Sequence, residues 1–394
     1  MSEYDTTARR ALSGVRGPDE AAAEGRAWAT VRAAYRDRPI PAPARSRRRV
    51  ALIPVVAVMI GAIAFSPAGA TVTRIINRAL SEPRISHAPA LSLPAPGKLL
   101  VSSARGTWVV SSGGQVKRLG PWTQAAWSPR GKYLAVTGTN TLAAVDPGGR
   151  LAWSLPKRPA IDPRWYSPNG YRIAYRSGTD LRELAGDGRG DHLLAAQVAS
   201  IAPAWRPGYE YQVAYVTRRG AVVVRQGDTG VRMWRSGPHP GRPLALSWSP
   251  TGTRLVLVTS AGAWLYLPGQ APPLRIKLPV DGPVLDATTS PDGRWLAVVR
   301  GSASSRQSRA VAPQLQIADL SVPARPPRAV LSGVPVSQPT WSPNSHWLLV
   351  AWSSADQWWF VRATGRPRVI AESRVGVKLG AGGSLHLDGW CCTP

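Results

Sequence analysis

Six copies of one short signature recur along this 394-residue chain, and they constrain its fold more than any other feature. They read Trp127-Ser128-Pro129-Arg130-Gly131, Trp165-Tyr166-Ser167-Pro168-Asn169-Gly170, Trp205-Arg206-Pro207-Gly208, Trp248-Ser249-Pro250-Thr251-Gly252, Ser290-Pro291-Asp292-Gly293 and Trp341-Ser342-Pro343-Asn344. The prolines stand at 129, 168, 207, 250, 291 and 343, so the gaps are 39, 39, 43, 41 and 52 residues. A period of that size matches one β-propeller blade, about 40–45 residues.

Each signature is followed by an apolar run of strand type, such as Tyr133-Leu134-Ala135-Val136 or Leu255-Val256-Leu257-Val258. A second short strand comes next, as in Val222-Val223-Val224, Trp264-Leu265-Tyr266 and Trp358-Trp359-Phe360. Turns such as Gly227-Asp228-Thr229-Gly230 and last strands such as Leu274-Arg275-Ile276 complete the unit. With the strand before the signature, that makes four strands per repeat. The proline follows a strand end, where it removes no ladder hydrogen bond. The Gly or Asn serves the tight turn. The Trp is expected to pack between blades.

On these residues the chain resembles the WSPDG-type propellers, the WD-repeat-like family found in the TolB propeller and in many bacterial surface proteins. The resemblance covers about residues 98–390 and implies an all-β propeller. It implies no activity, because a propeller is a scaffold with many roles. The layout as a whole also resembles a family of actinobacterial single-span proteins with an external propeller.

The ends set the blade count. Lys98-Leu99-Leu100-Val101, Thr107-Trp108-Val109-Val110 and Val116-Lys117-Arg118-Leu119 form three strands with no signature before them. The C-terminus offers a single strand, Leu385 to Trp390, with Trp390 in the place of a signature Trp. One strand from the end and three from the start make a composite blade that closes the ring and removes exposed edges. Residues 98–394 are therefore expected to form a seven-bladed propeller, with six blades and looser ends as the alternative.

From Val50 to Thr73 the chain has no charged residue over 24 positions. Such a helix spans roughly 36 Å at 1.5 Å per residue, enough for a hydrocarbon core of about 30 Å. Arg45, Arg47, Arg48 and Arg49 precede it, and Arg74 and Arg78 follow. The positive-inside rule then puts residues 1–49 in the cytoplasm and the large C-terminal part outside. The competing reading is a signal peptide cleaved near Ala68-Gly69-Ala70, but 49 residues precede the stretch, far more than a usual n-region. The expectation is a single-pass cell-membrane protein with its propeller extracytoplasmic.

In residues 1–49, Pro18-Asp19-Glu20 reads as a helix start. Trp28, Val31 and Tyr35 fall on one face, and Pro39, Pro41 and Pro43 end the helix. That face suits docking on a cytoplasmic protein or resting on anionic lipid. Residues 74–97 read as a juxtamembrane helix followed by a proline-rich spacer.

No catalytic motif stands out. The five histidines, His87, His192, His239, His346 and His386, form no zinc-hydrolase pair. There is no G-x-S-x-G elbow, Walker A or EF-hand loop. No cofactor or metal is expected; Asp187 and Asp191 read as a polar hairpin tip. The formal charge is +27, and residues 70–394 carry 38 basic against 16 acidic residues, spread along the chain. Nucleic-acid binding calls for a clustered basic stripe. An anionic wall polymer or a protein partner outside is the more physical expectation.

Cys391 and Cys392 are the two cysteines. Three states stay open: a vicinal disulfide, two thiols packing the last strand beside Trp390, or a disulfide between two chains. Gly301 to Pro313 reads as an insertion between blade strands and accounts for the 52-residue gap.

The leading functional expectation is a non-enzymatic, membrane-anchored propeller that binds a ligand or partner outside and signals inward through residues 1–49. The second is a propeller-type lyase or hydrolase with a site at the central channel; clustered carboxylates or histidines at the channel mouth would favour it. The third is a sigma-factor regulator, whose usual His/Cys zinc motif the tail lacks.

Overall fold

The structure is a computed structural model and describes residues 91–156, 160–268, 272–279, 282–301 and 313–392. The tail with Trp28, Val31 and Tyr35, the apolar stretch Val50–Thr73 and most of the Gly301–Pro313 insertion lie outside the described residues. Among the described residues no helix is long and apolar enough to cross a membrane.

Seven four-stranded antiparallel sheets follow one another around a ring. Blade 1 holds β1 (Lys98–Ser103), β2 (Gly106–Ser111) and β3 (Val116–Gly120). Blade 2 is β4 (Gln124–Trp127), β5 (Leu134–Gly138), β6 (Thr141–Val145) and β7 (Leu151–Pro156). Blade 3 is β8 (Ile161–Trp165), β9 (Arg172–Ser177), β10 (Asp180–Ala185) and β11 (His192–Ala195). Blade 4 is β12 (Ala204–Trp205), β13 (Gln212–Val216), β14 (Ala221–Gln226) and β15 (Arg232–Pro238). Blade 5 is β16 (Pro243–Trp248), β17 (Leu255–Thr259), β18 (Gly262–Tyr266) and β19 (Leu274–Ile276). Blade 6 is β20 (Val284–Thr289), β21 (Trp295–Arg300), β22 (Gln314–Asp319) and β23 (Arg328–Ser332). Blade 7 is β24 (Ser337–Trp341), β25 (Trp347–Trp352), β26 (Gln357–Arg362) and β27 (Val369–Ser373). A short helix α1 (Val375–Leu379) leads to β28 (His386–Cys391), which pairs antiparallel with β1 and completes blade 1. The count is seven, and the six-bladed alternative is set aside: the C-terminal strand is hydrogen-bonded into the first sheet rather than left loose.

The second and third strands of most blades are near-continuous apolar runs because both faces of the blade are covered by its neighbours; β10 and β22 interleave polar residues with the apolar ones. β17 and β18 are buried along their whole length, while outer strands such as β7 face water at most positions. Seven apolar clusters result, one in each seam between neighbouring blades. The largest seam, between blades 7 and 1, also takes up Leu91, Leu93 and Ala95. The end of the stretch read as a spacer thus packs on the propeller: its apolar residues alternate with Ser and Pro, and an extended segment of that pattern buries one side.

The signature is a turn with a built-in clasp. Ser128, Ser249, Ser290 and Ser342 each accept a hydrogen bond through Oγ from the backbone N–H five residues on, at 2.9–3.1 Å. Gly131, Gly252 and Gly293 sit at φ of +64 to +69°, left-handed backbone that glycine adopts freely. In blade 7 this position is filled by Ser345 (φ 59°), not by Asn344 as the sequence pattern suggests. The Asn344 side chain instead accepts from Ser342 Oγ at 2.7 Å.

The signature tryptophans stitch blade to blade. Nε1 of Trp165, Trp205, Trp248 and Trp341 donates to the carbonyl oxygens of Ala126, Arg164, Ala204 and Thr288, at 2.8–3.2 Å. Each acceptor directly precedes the signature position of the blade before. In blade 6 Thr289 replaces the Trp, and its hydroxyl bonds Ser247 Oγ at 2.9 Å. Where the ring closes the pattern lapses: Nε1 of Trp127 and of Trp390 have no hydrogen-bond partner among the described residues. Trp390 packs edge-on to Phe360 instead, with ring centroids 5.8 Å apart.

Candidate functional site

The innermost strands β28, β4, β8, β12, β16, β20 and β24 surround the channel. The signature residues stand at their C-terminal ends. The N-terminal ends carry a different chemistry. Five innermost strands break register there: β8 between Ile161 and Arg164, β16 between Pro243 and Ala245, β20 between Val284 and Asp286, β24 between Ser337 and Thr340, and β28 opposite Leu100 and Val101. Such bulges re-aim side chains and are common at barrel rims and beside sites. Asp162 (φ 54°) and Gln338 (φ 55°) sit in two of them, and Asp388 is the extra residue of the third.

Gln338 ties three blades together. Its backbone N–H donates to Asp286 Oδ2 at 3.0 Å. Its side-chain Nε2 donates to the Leu385 carbonyl at 3.0 Å, and its Oε1 accepts from the Leu387 N–H at 2.7 Å. Two residues along β28, His386 Nδ1 lies 3.2 Å from Asp388 Oδ1. The Asp388 side chain is 4% exposed and that of His386 62%. A buried carboxyl therefore backs an imidazole that stays open to water.

The charges shift one another. The hydrogen bond that the His386 imidazole donates to Asp388 raises the His386 pKa above its ordinary value, against the opposing effect of burial; Asp286 adds to the rise and Arg164 opposes it. Burial raises Asp388, with His386, Ser102 and Arg164 holding part of the shift back. Burial likewise raises Asp286, while the N–H groups of Gln338 and Ala287, His386 and Arg242 favour its charged form. Asp162, also at this end, is held by Arg176 at 2.7 Å, and its N–H is capped by Gln124 Oε1 at 2.8 Å.

This arrangement can exchange a proton through His386 and offer carboxyl, imidazole and guanidinium groups to one polar ligand. Among the described residues His386 Nε2 has no hydrogen-bond partner, and no group of three or more His, Cys, Asp or Glu is arranged to hold a metal ion.

The residues singled out from the sequence are placed elsewhere. Trp127, Trp165, Trp205, Trp248, Trp341 and Trp390 stand in the seams, and Pro129, Pro168, Pro207, Pro250, Pro291 and Pro343 in the turns at the far end of the same strands. Cys391 and Cys392 are joined in a vicinal disulfide, one of the three states the sequence left open. Asp191, read as part of a polar tip, is engaged by Arg182 at 2.8 Å and by the Tyr175 hydroxyl at 2.6 Å. Sequence reasoning missed His386, Asp388, Asp286, Gln338 and Arg164. A signal was present: Pro163 and Pro339 each stand two residues before a signature Trp and inside an innermost strand, where a proline marks a bulge.

Fold and site together define a seven-bladed β-propeller with a polar cluster at one mouth of its channel. No protein-family model matches the chain, and no curated protein sequence matches it. Among solved structures it is similar to Hsv2p of Kluyveromyces lactis, with TM-score 0.51 and 11% identity over 70% of this chain and 94% of that one. It is similar to KlHsv2 with loop 6CD replaced by a Gly-Ser linker (TM-score 0.51, 12% identity, 70% and 93% covered). The β-propeller domain of Myceliophteria thermophila Cps50 (Swd1) is a looser match (TM-score 0.48, 14% identity, 63% and 86% covered). At these identities the likeness to Hsv2p shows the propeller fold alone.

Proposed function

We propose that this chain is a non-enzymatic, single-span membrane protein whose propeller stands outside the cytoplasm and binds a ligand or protein partner at the bulged mouth of its channel. The uncharged stretch Val50–Thr73 and its arginine flank support the anchor. The observation that carries the binding reading is the convergence of Asp286, Gln338, His386 and Asp388 from three blades on one water-accessible end of a rigid ring. Residues 1–49 then offer Trp28, Val31 and Tyr35 to a cytoplasmic partner.

The test is a photocrosslinking amino acid at Arg164, in the mouth, and at Leu274, exposed on the outer strand β19, each in the full chain in living cells. A discrete adduct from position 164 and none from 274 is expected. No adduct at 164, or equal adducts at both, overturns the reading.

A second reading, a lyase or hydrolase at the same mouth, is favoured by the His386–Asp388 pair. An imidazole with a raised pKa beside a buried carboxyl suits general acid–base work. The two readings separate on turnover: a scaffold returns its ligand unchanged, an enzyme returns product, and His386→Gln abolishes only the latter.

A further inference from the structure

The seam between blades 2 and 3 is built unlike its neighbours. Among the described residues it has the smallest apolar cluster, six buried side chains. Above that cluster a groove of about 600 Å³ opens between the signature turn of blade 2 and that of blade 3. This lies within the range of small-ligand sites, roughly 300–1,000 Å³.

Other seams show how the same place is closed. Between blades 4 and 5 the Arg206 guanidinium lies 3.4 Å from the Tyr209 ring centroid and 4.8 Å from that of Trp248, and it donates to the Gly252 carbonyl at 2.7 Å. Between blades 5 and 6 Arg254 donates to the carbonyls of Gly293 and Leu320 and leaves a cavity of only about 10 Å³. Tyr133 holds the corresponding place in blade 2, five residues after the signature Ser, and it turns outward, 45% exposed. Gly170 and Gly186 line the opposite wall; a Cβ on Gly186 would stand 2.2 Å from the Gly170 carbonyl oxygen, so no side chain fills the gap from there.

The walls have a definite chemistry. Tyr133 and Tyr171 (62% exposed) present open ring faces, with Trp153 and Trp165 partly buried between them. Arg130 and Lys132 are exposed on the rim beside Tyr133, and Arg172 stands across from them. Asp187 is the one acid in the lining. Aromatic faces stack on the C–H faces of sugar rings, and cations at the rim attract carboxylates. A peptide adding to a sheet edge would use main-chain groups, whereas this groove is walled by side chains and turns.

We infer that the groove between blades 2 and 3 binds an anionic saccharide chain, with Tyr133 and Tyr171 stacking on its rings and Arg130 and Lys132 receiving its carboxylates.

The probe is a galacturonate hexamer, titrated calorimetrically into the full-length chain. Binding is expected, and it should weaken at least tenfold between 0.05 and 0.3 M salt, as about two ion contacts require. A neutral galactose hexamer and a glutamate hexamer should each bind at least tenfold more weakly. The pair Tyr133→Ala and Tyr171→Ala should lose at least tenfold in affinity, and the Phe pair should retain it. Arg130→Ser with Lys132→Ser should lose affinity and flatten the salt dependence. No binding at millimolar hexamer, equal binding of the neutral or the peptide probe, or full affinity in the Ala pair overturns the inference. Should the Ala pair fail to fold, the Arg130/Lys132 pair, which sits on exposed surface, decides it.

Discussion

The indole Nε1 of Trp205 donates a hydrogen bond to the carbonyl oxygen of Arg164, 2.8 Å away in the preceding blade. The bond joins the two ends of the molecule's organisation. Trp205 belongs to a signature that builds the seam, and Arg164 belongs to a strand whose side chains act at the channel mouth. Trp205→Phe keeps most of the buried ring and loses the bond, so it should cost about 1 kcal/mol. Trp205→Ala leaves a cavity and should cost about 3–5 kcal/mol. Denaturant unfolding of the two variants checks the order and the spacing.

His386 should titrate above the ordinary histidine value of 6.5. Asp388→Asn removes the carboxyl that raises it, and burial, which acts in the opposite direction, then brings the His386 pKa down. The imidazole resonance of His386 followed by NMR against pH reads both values. An unchanged midpoint in the Asn variant would break the link between the two residues.

Glu183, fully buried in β10, gives a pH dependence of definite sign. Arg172 Nε reaches it at 3.3 Å, but the same guanidinium is held by Asp228 at 2.7 Å. Burial, followed by the Asp228 charge, outweighs Arg172 and His192 and raises its pKa to about 7. Below pH 4.5 both folded and unfolded chains keep this proton, and the group contributes nothing. Between 4.5 and about 7 the unfolded chain has released it while the folded chain holds it, so stability falls as pH rises. Above about 7 the loss is complete, on the order of 3 kcal/mol. Glu183→Gln should therefore melt higher than the parent at pH 8 and close to it at pH 4.5. Melting curves at the two pH values test this.

Gly131 faces the closing strand. A Cβ there would stand 2.6 Å from Cys392 Sγ, and its φ is +64°. Gly131→Ala should cost about 1–3 kcal/mol through strain and overpacking. Gly178 has a similar φ of +63° with nothing near its Cβ position. Gly178→Ala, which meets only the backbone term, should cost less, and thermal melts of the pair isolate the clash.

The blades were readable because the signature residues share out three tasks, indole bond, hydroxyl clasp and left-handed turn; each recurs in at least four of the seven blades, although all three meet only in blades 5 and 7. Even the closing strand was readable from Trp390, which repeats the pattern without a strand after it. The channel cluster was not. His386 and Asp388 are ordinary residues of an ordinary strand, and Asp286 and Gln338 lie 100 and 48 positions before His386 in the sequence. What brings them together is the ring closure combined with bulges, and a bulge shifts side chains by a residue without changing the composition around it. The prolines at 163 and 339 mark two of those bulges, but β20 and β28 carry theirs without one.

The claim beneath the functional reading is that the propeller lies outside the cytoplasm and residues 1–49 lie within it. Single cysteines at Ser13 and at Ser112, the latter exposed in the turn after β2, can be exposed to a membrane-impermeant thiol reagent on intact cells. The parent chain, whose Cys391 and Cys392 are paired, serves as the blank. Labelling at 112 and none at 13 until the cells are opened is the expected result. Equal labelling of both positions, protection of 112, or loss of residues 1–70 from the mature protein would contradict it.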